Sequence, residues 1–369
     1  MKIVFIGRYN QSERLTGPEK FAKRLFSHFL HSNCDINFIE YFFKYEKKKS
    51  NTFLRLFGKQ RDSKNQYILR LGMLRLFLYL VKEQPDIIHI VTSERFIITL
   101  FLYKFLLKGK IVVTKHSILR EEFTRHTIKD SLIGKHKDLI QEWMEFTYCD
   151  WIFCFSQDEI NIAKSYYKID ESKTTIINNG IDIEFFKART TSRGANNIGI
   201  VFYNGFDFRI DRGLNDLVEA LNKIKNPELL NFFVLGEMSD TIRSKAKFQI
   251  MTHPIVEQNR LIDFLRDKQI ILKSHTVDTF PILVGECMSM GLVPIISDNV
   301  GFKRFIVNGK NGFVYKTKDF SELVEALELL INDENLLKEL SKNVRLIYHK
   351  LKWENIAEDY LNNYKFIAV

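Results

Sequence analysis

Two doubly wound α/β domains are predicted for this chain of 369 residues. Three observations carry that expectation. Short apolar runs of strand length alternate with amphipathic helical stretches along nearly the whole sequence, which is the pattern of βαβ units and parallel sheets. The length suits two domains of ordinary size, and a hydrophobic content of 45% is enough to fill two cores. A polar stretch, KARTTSRGANN (187–197), divides two such alternating sets and reads as a linker. Residues 1–187 are then a first Rossmann-like domain and 188–352 a second, facing a central cleft.

In the first set, KIVFIG (2–7) is an apolar strand ending at Gly7. In GPEKFAKRLFSHFLH (17–31) apolar residues fall at helical spacing, with Pro18 in a natural first-turn position. INFIEYF (36–42) is a strand, and LRLGMLRLFLYLVKEQ (69–84) reads as one amphipathic helix stopped before Pro85. DIIHIV (86–91), KIVVTKH (110–116), DWIFCFS (150–156) and TTIINNG (174–180) are strands. The helices between them are 96–109, 138–149 and 157–167. The second set runs NIGIVFYNG (197–205), a helix at 213–225, LNFFVLGE (230–237), a helix at 259–268, IILKSH (270–275) and then the segment considered below. The chain closes with helical stretches at 320–351 and 353–369.

Composition bounds the function. Four cysteines are scattered without a C-x-x-C or zinc-like spacing, which fits reduced thiols in a cytoplasmic protein. The N-terminus reads as a strand rather than a signal peptide. The longest apolar block, FIITLFLYKFLL (96–107), is too short to span a bilayer and contains Lys104. The net charge is +10, and most of the excess lies between Lys44 and Arg75, where ten Lys or Arg face only Glu46 and Asp62. Phe53, Leu54, Leu56 and Phe57 are interleaved with them. Such a segment can lie on an anionic membrane surface, hold an anionic lipid-linked substrate, or be a solvated loop. No nucleic-acid-binding motif accompanies it, so nucleic acid is not an expected partner.

The chemistry is expected in VDTFPILVGECMSMGLVPIIS (277–297), an apolar stretch that holds Asp278 and Glu286. Pro281 pre-sets the first turn of a helix, Gly291 stops it, and LVPIIS is the next strand. Asp278 and Thr279 precede the helix, where side chains can cap. The amides around Phe280, Pro281, Ile282 and Leu283 form a helix N-terminus, which suits phosphate. Glu286, little more than a turn on, can accept from two vicinal hydroxyls such as those of a ribose. A plain cap for Asp278 and a locally satisfied structural carboxylate for Glu286 are the bland alternatives.

With these residues in view, the sequence resembles glycosyltransferase family four, whose members are retaining enzymes of the GT-B fold. D-x7-E followed by CMSMGLVPIIS is similar to the E-x7-E-A-M-x-x-G-x-P-V signature. CDWIFCFSQDEINIAKSYYKIDESKTTIINNGIDIEFF (149–186), GFKRFIVNGKNGFVY (301–315), TGPEKFAKRL (16–25) and VVTKHS (112–117) resemble four further blocks of the family, in the family's order. The resemblance implies a helix at 353–369 that packs back on the first domain. It implies that Gly17 admits a donor diphosphate to the backbone and that His116 lies beside the donor sugar. It places Gly205 and a basic pair on the diphosphate, but here the sequence departs from the pattern. Phe206 follows Gly205 where the family has arginine, and Arg212 stands where it has lysine. Arg209, between them, is the candidate replacement, with a surface charge as its alternative. Gly236 in VLGE (234–237) falls near the nucleotide base. Asp278 replaces the family's glutamate and can alter the choice of sugar.

The expected activity is retaining transfer of a hexose or N-acetylhexosamine from a nucleotide-diphosphate sugar, UDP-sugar favoured, to a glycan, lipid-linked or protein-linked acceptor. His116, Asp278, Arg209 and Arg212 would act on the reacting groups, while Glu286 and Thr279–Leu283 would hold the donor. No cofactor or metal is expected, since no D-x-D triad occurs and helix dipole and arginines can neutralise the leaving diphosphate. A cytoplasmic location, peripheral on the inner membrane face, follows from that acceptor class. The rival readings are a non-catalytic GT-B subunit partnering another transferase, and a GT-B-fold sugar-nucleotide epimerase or hydrolase.

Overall fold

A computed structural model describes residues 1–9, 17–41, 52–92, 97–107, 109–125, 132–188, 198–205, 213–274, 278–317 and 319–369. The chain forms two compact units, Met1–Asn179 with Trp353–Val369, and Gly180–Lys352.

In the first unit the order is β1 (Lys2–Ile6), α1 (Gly17–Phe29), β2 (Asp35–Tyr41), α2 (Thr52–Phe57), β3 (Lys59–Arg61), β4 (Ile68–Leu71), α3 (Met73–Glu83), β5 (Ile87–Ile90) and α4 (Ile97–Leu107). There follow β6 (Lys110–Thr114), α5 (Leu119–Arg125), α6 (Leu132–Tyr148), β7 (Trp151–Cys154), α7 (Gln157–Lys164) and β8 (Thr174–Ile176). The sheet runs β3-β4-β2-β1-β5-β6-β7-β8, parallel throughout except for the edge strand β3. Its central strands β1, β5 and β6 are buried on both faces, so they read as continuous apolar runs.

In the second unit come α8 (Ile183–Lys187), β9 (Ile198–Gly205), α9 (Leu214–Leu221), β10 (Leu230–Gly236), α10 (Asp240–Arg243), β11 (Gln249–His253), α11 (Gln258–Leu265) and β12 (Ile270–Lys273). After these come α12 (Ile282–Met290), β13 (Val293–Ser297), β14 (Phe313–Tyr315), α13 (Phe320–Asn332), α14 (Glu334–Val344) and α15 (Ile347–Leu351). The sheet order is β11-β10-β9-β12-β13-β14, all parallel. The winding reverses between β9 and β12, and ligands of such sheets bind outside the carboxyl ends at that reversal.

The last helix, α16 (Trp353–Ala368), belongs to the first unit and packs on α1. Tyr360 and Tyr364 on it are fully buried around His89, whose ring meets Tyr364 at 2.5 Å and Thr114 at 2.8 Å.

Two readings change. Residues 69–84 are not one helix. Ile68–Leu71 pair with β2 as a strand, and the helix begins at Met73 beyond Gly72. Alternating leucines in that segment satisfy both periods, and sheet pairing decides. The division at 187 moves to Asn179/Gly180, because α8 buries Phe185 and packs against α12 in the second unit. The linker core, 189–197, and the basic run 42–51 lie outside the described residues.

Candidate functional site

The carboxyl edge of the second sheet brings several expected donor-binding residues onto neighbouring strands. Gly205 ends β9 and Gly236 ends β10, and the two backbones touch there. Glu237 N–H donates to Gly205 O at 3.1 Å, and Asn204 Nδ2 donates to Glu237 O at 2.5 Å. Gly236 has φ +115°, and a Cβ on it would stand 2.1 Å from Gly205 O. Only glycine fits a position that is both left-handed and in backbone contact. The segment after Gly205 carries Phe206, Arg209 and Arg212, which lie outside the described residues.

Beside β9, strand β12 ends at Lys273, and there sits the residue that sequence reading missed. Lys273 is 4% exposed, and its Nζ lies 3.0 Å from Asp278 Oδ2. Asp278 is therefore an ion-paired carboxylate rather than a helix cap. Helix α12 has Pro281 at its N-cap, and no side chain caps it. Val284 N–H donates to Pro281 O at 2.9 Å, the amides of Ile282 and Leu283 precede it at the helix start, and the helix dipole makes this end favourable to an anion. A lysine closing an otherwise apolar strand was the available signal for Lys273. Its pairing with Asp278 is tertiary and could not be read from spacing.

Glu286 lies inside α12 and is 4% exposed, with Val284, Gly285, Cys287, Met288 and Ser289 buried around it. Burial of a carboxylate requires polar partners, so this residue is held by more than solvent. Gly291, in the left-handed region, closes the helix through its N–H to Cys287 O and Met288 O.

The segment carrying Asp278 and Thr279 is fixed from behind. Asp278 bridges to Val300, and Gly301 N–H donates to Asp278 O at 2.9 Å. A Cβ on Gly301 would lie 1.9 Å from Thr279 O. Phe280 is buried against Phe302, with ring centroids 4.5 Å apart. Gly301→Ala must push Thr279 and the start of α12 outward. We expect a loss of about 3 kcal/mol in stability, measured by urea unfolding, together with weaker donor binding. A variant as stable as the parent, with unchanged donor affinity, would show that this backbone contact does not position the segment.

In the first unit Gly17 opens α1, and the preceding residues 10–16 lie outside the described set. His116 follows β6, which lies beside β5, and the first sheet's winding reverses between β5 and β1. Its Nε2 lies 2.7 Å from Val91 O. A carbonyl only accepts, so Nε2 carries the proton and Nδ1 is the acceptor nitrogen. The ring packs on Phe21 at 5.0 Å and Phe155 at 5.2 Å. Desolvation pushes its pKa down to about 4, against the pull of the Val91 carbonyl and aided by the Lys115 charge. His116 is thus neutral at physiological pH, able to accept from a sugar hydroxyl but not poised as an acid.

The same shift makes a stability prediction. Below the unfolded-state value of 6.5 the unfolded chain takes up a proton that folded His116 refuses until about pH 4. Stability should therefore fall as pH drops through that window, with no effect of this residue above it. His89, desolvated and lowered well below its ordinary value, acts in the same direction. His116→Gln should show a shallower loss of urea midpoint between those pH values; an identical slope would remove His116 from the account.

Comparisons with known proteins fall on the same residues. A family model described as "Glycosyltransferase Family 4" matches residues 16–185, and one described as "Glycosyl transferases group 1" matches 194–346. The chain is 24% identical over 226 residues to an "Uncharacterized glycosyltransferase" of Haemophilus influenzae, covering 59% of this chain and 62% of that protein. It therefore spans less than two thirds of that relative's length. It is also 24% identical over 296 residues to the "UDP-Gal:alpha-D-GlcNAc-diphosphoundecaprenol alpha-1,3-galactosyltransferase" of Escherichia coli, covering 74% of this chain and 73% of that enzyme. Among solved structures, a sucrose-phosphate synthase from Thermosynechococcus elongatus superposes with a TM-score of 0.74 at 15% identity, over 99% of this chain and 98% of that one.

Proposed function

Because the chain belongs to glycosyltransferase family four, with the GT-B fold, we propose that it moves a hexose or N-acetylhexosamine from a UDP-sugar to a lipid-linked glycan, with retention of configuration, in cell-surface glycan synthesis. The observation that carries this reading is the arrangement at the carboxyl edge of the second sheet. An uncapped helix start lies between a buried Lys273 paired with a partly exposed Asp278 and a buried Glu286, with the Gly205–Gly236 contact at the ends of β9 and β10. That set offers an anion site flanked by two hydroxyl acceptors, which is what a nucleotide sugar presents. The name of the E. coli relative supports UDP as carrier and a diphosphoundecaprenol-linked acceptor.

In this reading Glu286 accepts from the ribose hydroxyls, and Asp278, its charge balanced by Lys273, accepts from the donor sugar. His116 Nδ1 accepts from another sugar hydroxyl. The bond from the anomeric carbon to the diphosphate oxygen breaks while the acceptor oxygen bonds to that carbon on the same face. The acceptor's proton passes to the departing phosphate oxygen. The amides opening α12, with Arg209 and Arg212, stabilise the charge growing on the diphosphate. These groups serve in place of a metal ion, a role supported by the absence of a D-x-D triad in the sequence.

The test is transfer from UDP-hexoses and UDP-N-acetylhexosamines to a polyprenyl-diphosphate sugar, with the anomeric configuration of the product read by NMR. The expected product keeps the donor's configuration. No transfer from any nucleotide sugar to any such acceptor, or an inverted product, would overturn the proposal.

A further inference from the structure

Helix α4 is apolar almost all round its circumference, IITLFLYKFLL, and a helix of that kind is expected to be buried on every side. It is not. Ile97, Leu100 and Tyr103 face the core, while Phe105 is 85% exposed, Ile98 68% and Leu102 51%, with Leu106 and Leu107 also exposed. Ile98, Leu102 and Phe105 are spaced to share one outward face. The face continues onto α6. Phe101 of α4 meets the exposed Tyr148 at 5.3 Å, and Tyr148 meets the exposed Trp143 at 5.7 Å. Lys104 ties α4 to the end of α6, donating to Tyr148 O at 2.5 Å and pairing with Asp150 just beyond that helix at 2.9 Å. The patch is thus preformed rather than a loose tail.

It also has a basic flank. Helix α3 packs on α4 and presents Leu74, Arg75, Leu78 and Lys82 to solvent. Helix α2 packs on α3 and exposes Phe53 and Phe57, whose rings touch at 5.2 Å. Beyond it Lys59, Arg61 and Lys64 are all exposed. Of the acidic groups along this stretch, Asp62 is buried and faces Arg70, and Glu83 is held by Lys2.

We infer that this face of the first unit docks on the surface of a bilayer containing anionic lipid. The apolar side chains of α4, with Trp143 and Tyr148, enter the headgroup boundary, and the lysines and arginines of α3 and β3 meet the lipid phosphates. With Asp62 and Glu83 already paired to Arg70 and Lys2, the exposed rim is net positive and complementary to anionic lipid headgroups. No helix among the described residues is long and apolar enough to cross a membrane, so α4 lies along the surface. The inference extends the proposed use of a lipid-linked acceptor: it places the first unit at the interface where such an acceptor is found. It also shifts weight from the basic run between residues 44 and 75 alone to the apolar face of α4.

The test is sedimentation of the full chain with phosphatidylcholine vesicles and with mixed phosphatidylcholine–phosphatidylglycerol vesicles, at low and high salt. Two variants accompany it: Ile98→Gln with Leu102→Gln and Phe105→Gln, and Lys59→Glu with Arg61→Glu. All five positions are exposed, and circular dichroism and thermal unfolding confirm each fold. The parent should bind the anionic vesicles and not the neutral ones, and salt should weaken that binding. Each variant should lose about tenfold or more in apparent affinity, while thermal stabilisation by UDP-sugars stays unchanged. Failure of the parent to bind anionic vesicles overturns the inference, as does unaltered binding by the apolar variant. A parent dimer that the apolar variant dissociates would assign the face to a second copy and overturn it too. Vesicle binding without any response to nucleotide sugars would leave this inference standing and sink the proposed reaction instead.

Discussion

Glu286→Ala should abolish any thermal stabilisation by a UDP-sugar and lower kcat/KM by about 100-fold or more. The estimate follows from losing two charge-assisted hydrogen bonds to vicinal hydroxyls in a buried setting. The residue sits on the helix whose first turn is expected to face the diphosphate, and it is almost wholly enclosed. Because a buried carboxylate also has local partners, the variant's stability without ligand must be measured beside its donor response. Glu286→Gln keeps the shape and part of the hydrogen bonding, so it should fold and yet bind donor weakly. Full donor response in Glu286→Gln and Glu286→Ala alike would take the ribose role from this residue.

The largest expected effect on stability lies in the first unit. Lys115 is 3% exposed, with its ammonium 2.7 Å from Glu145 and 3.4 Å from Glu142, both fully buried. Burial works to lower its pKa, but the two carboxylates hold it raised above the ordinary lysine value. Glu142 also accepts from the amides of Leu119 and Arg120 and from Tyr167. Lys115→Met leaves two carboxylates without their counter-charge, and breaking a buried pair in this way costs about 3–5 kcal/mol. Urea unfolding should show that loss, and adding Glu145→Gln should recover part of it. A Lys115→Met chain as stable as the parent would mean that water or another cation satisfies the site.

Most of this architecture was legible in the sequence for a physical reason. Strands buried on both faces are continuous apolar runs, so β1, β5, β6 and β13 announce themselves. Pro281 and Gly291 bracket α12 so clearly that its span needed a shift of one residue at the start. What failed was pattern without context. The leucines of 69–84 fit both a strand and a helix, and pairing with β2 settled Leu69–Leu71 as strand. Strands β3 and β11 went unread: the first is a short polar edge, the second alternates weakly. At the site, spacing gave Asp278 and Glu286 but not Lys273, because that lysine meets its partner only through tertiary pairing. Nor could sequence tell that α4, the most apolar helix of the first unit, keeps half its surface in solvent.

The central claim is that the second unit binds a nucleoside diphosphate through α12 and the neighbouring strand ends, without a metal ion. Calorimetric titration of the protein with uridine, guanosine and adenosine diphosphates in the presence of EDTA tests it directly. A single saturable site per chain for uridine diphosphate, lost in Glu286→Ala, is the predicted result. No binding of any of the three, or binding that appears only when magnesium is restored, would contradict it.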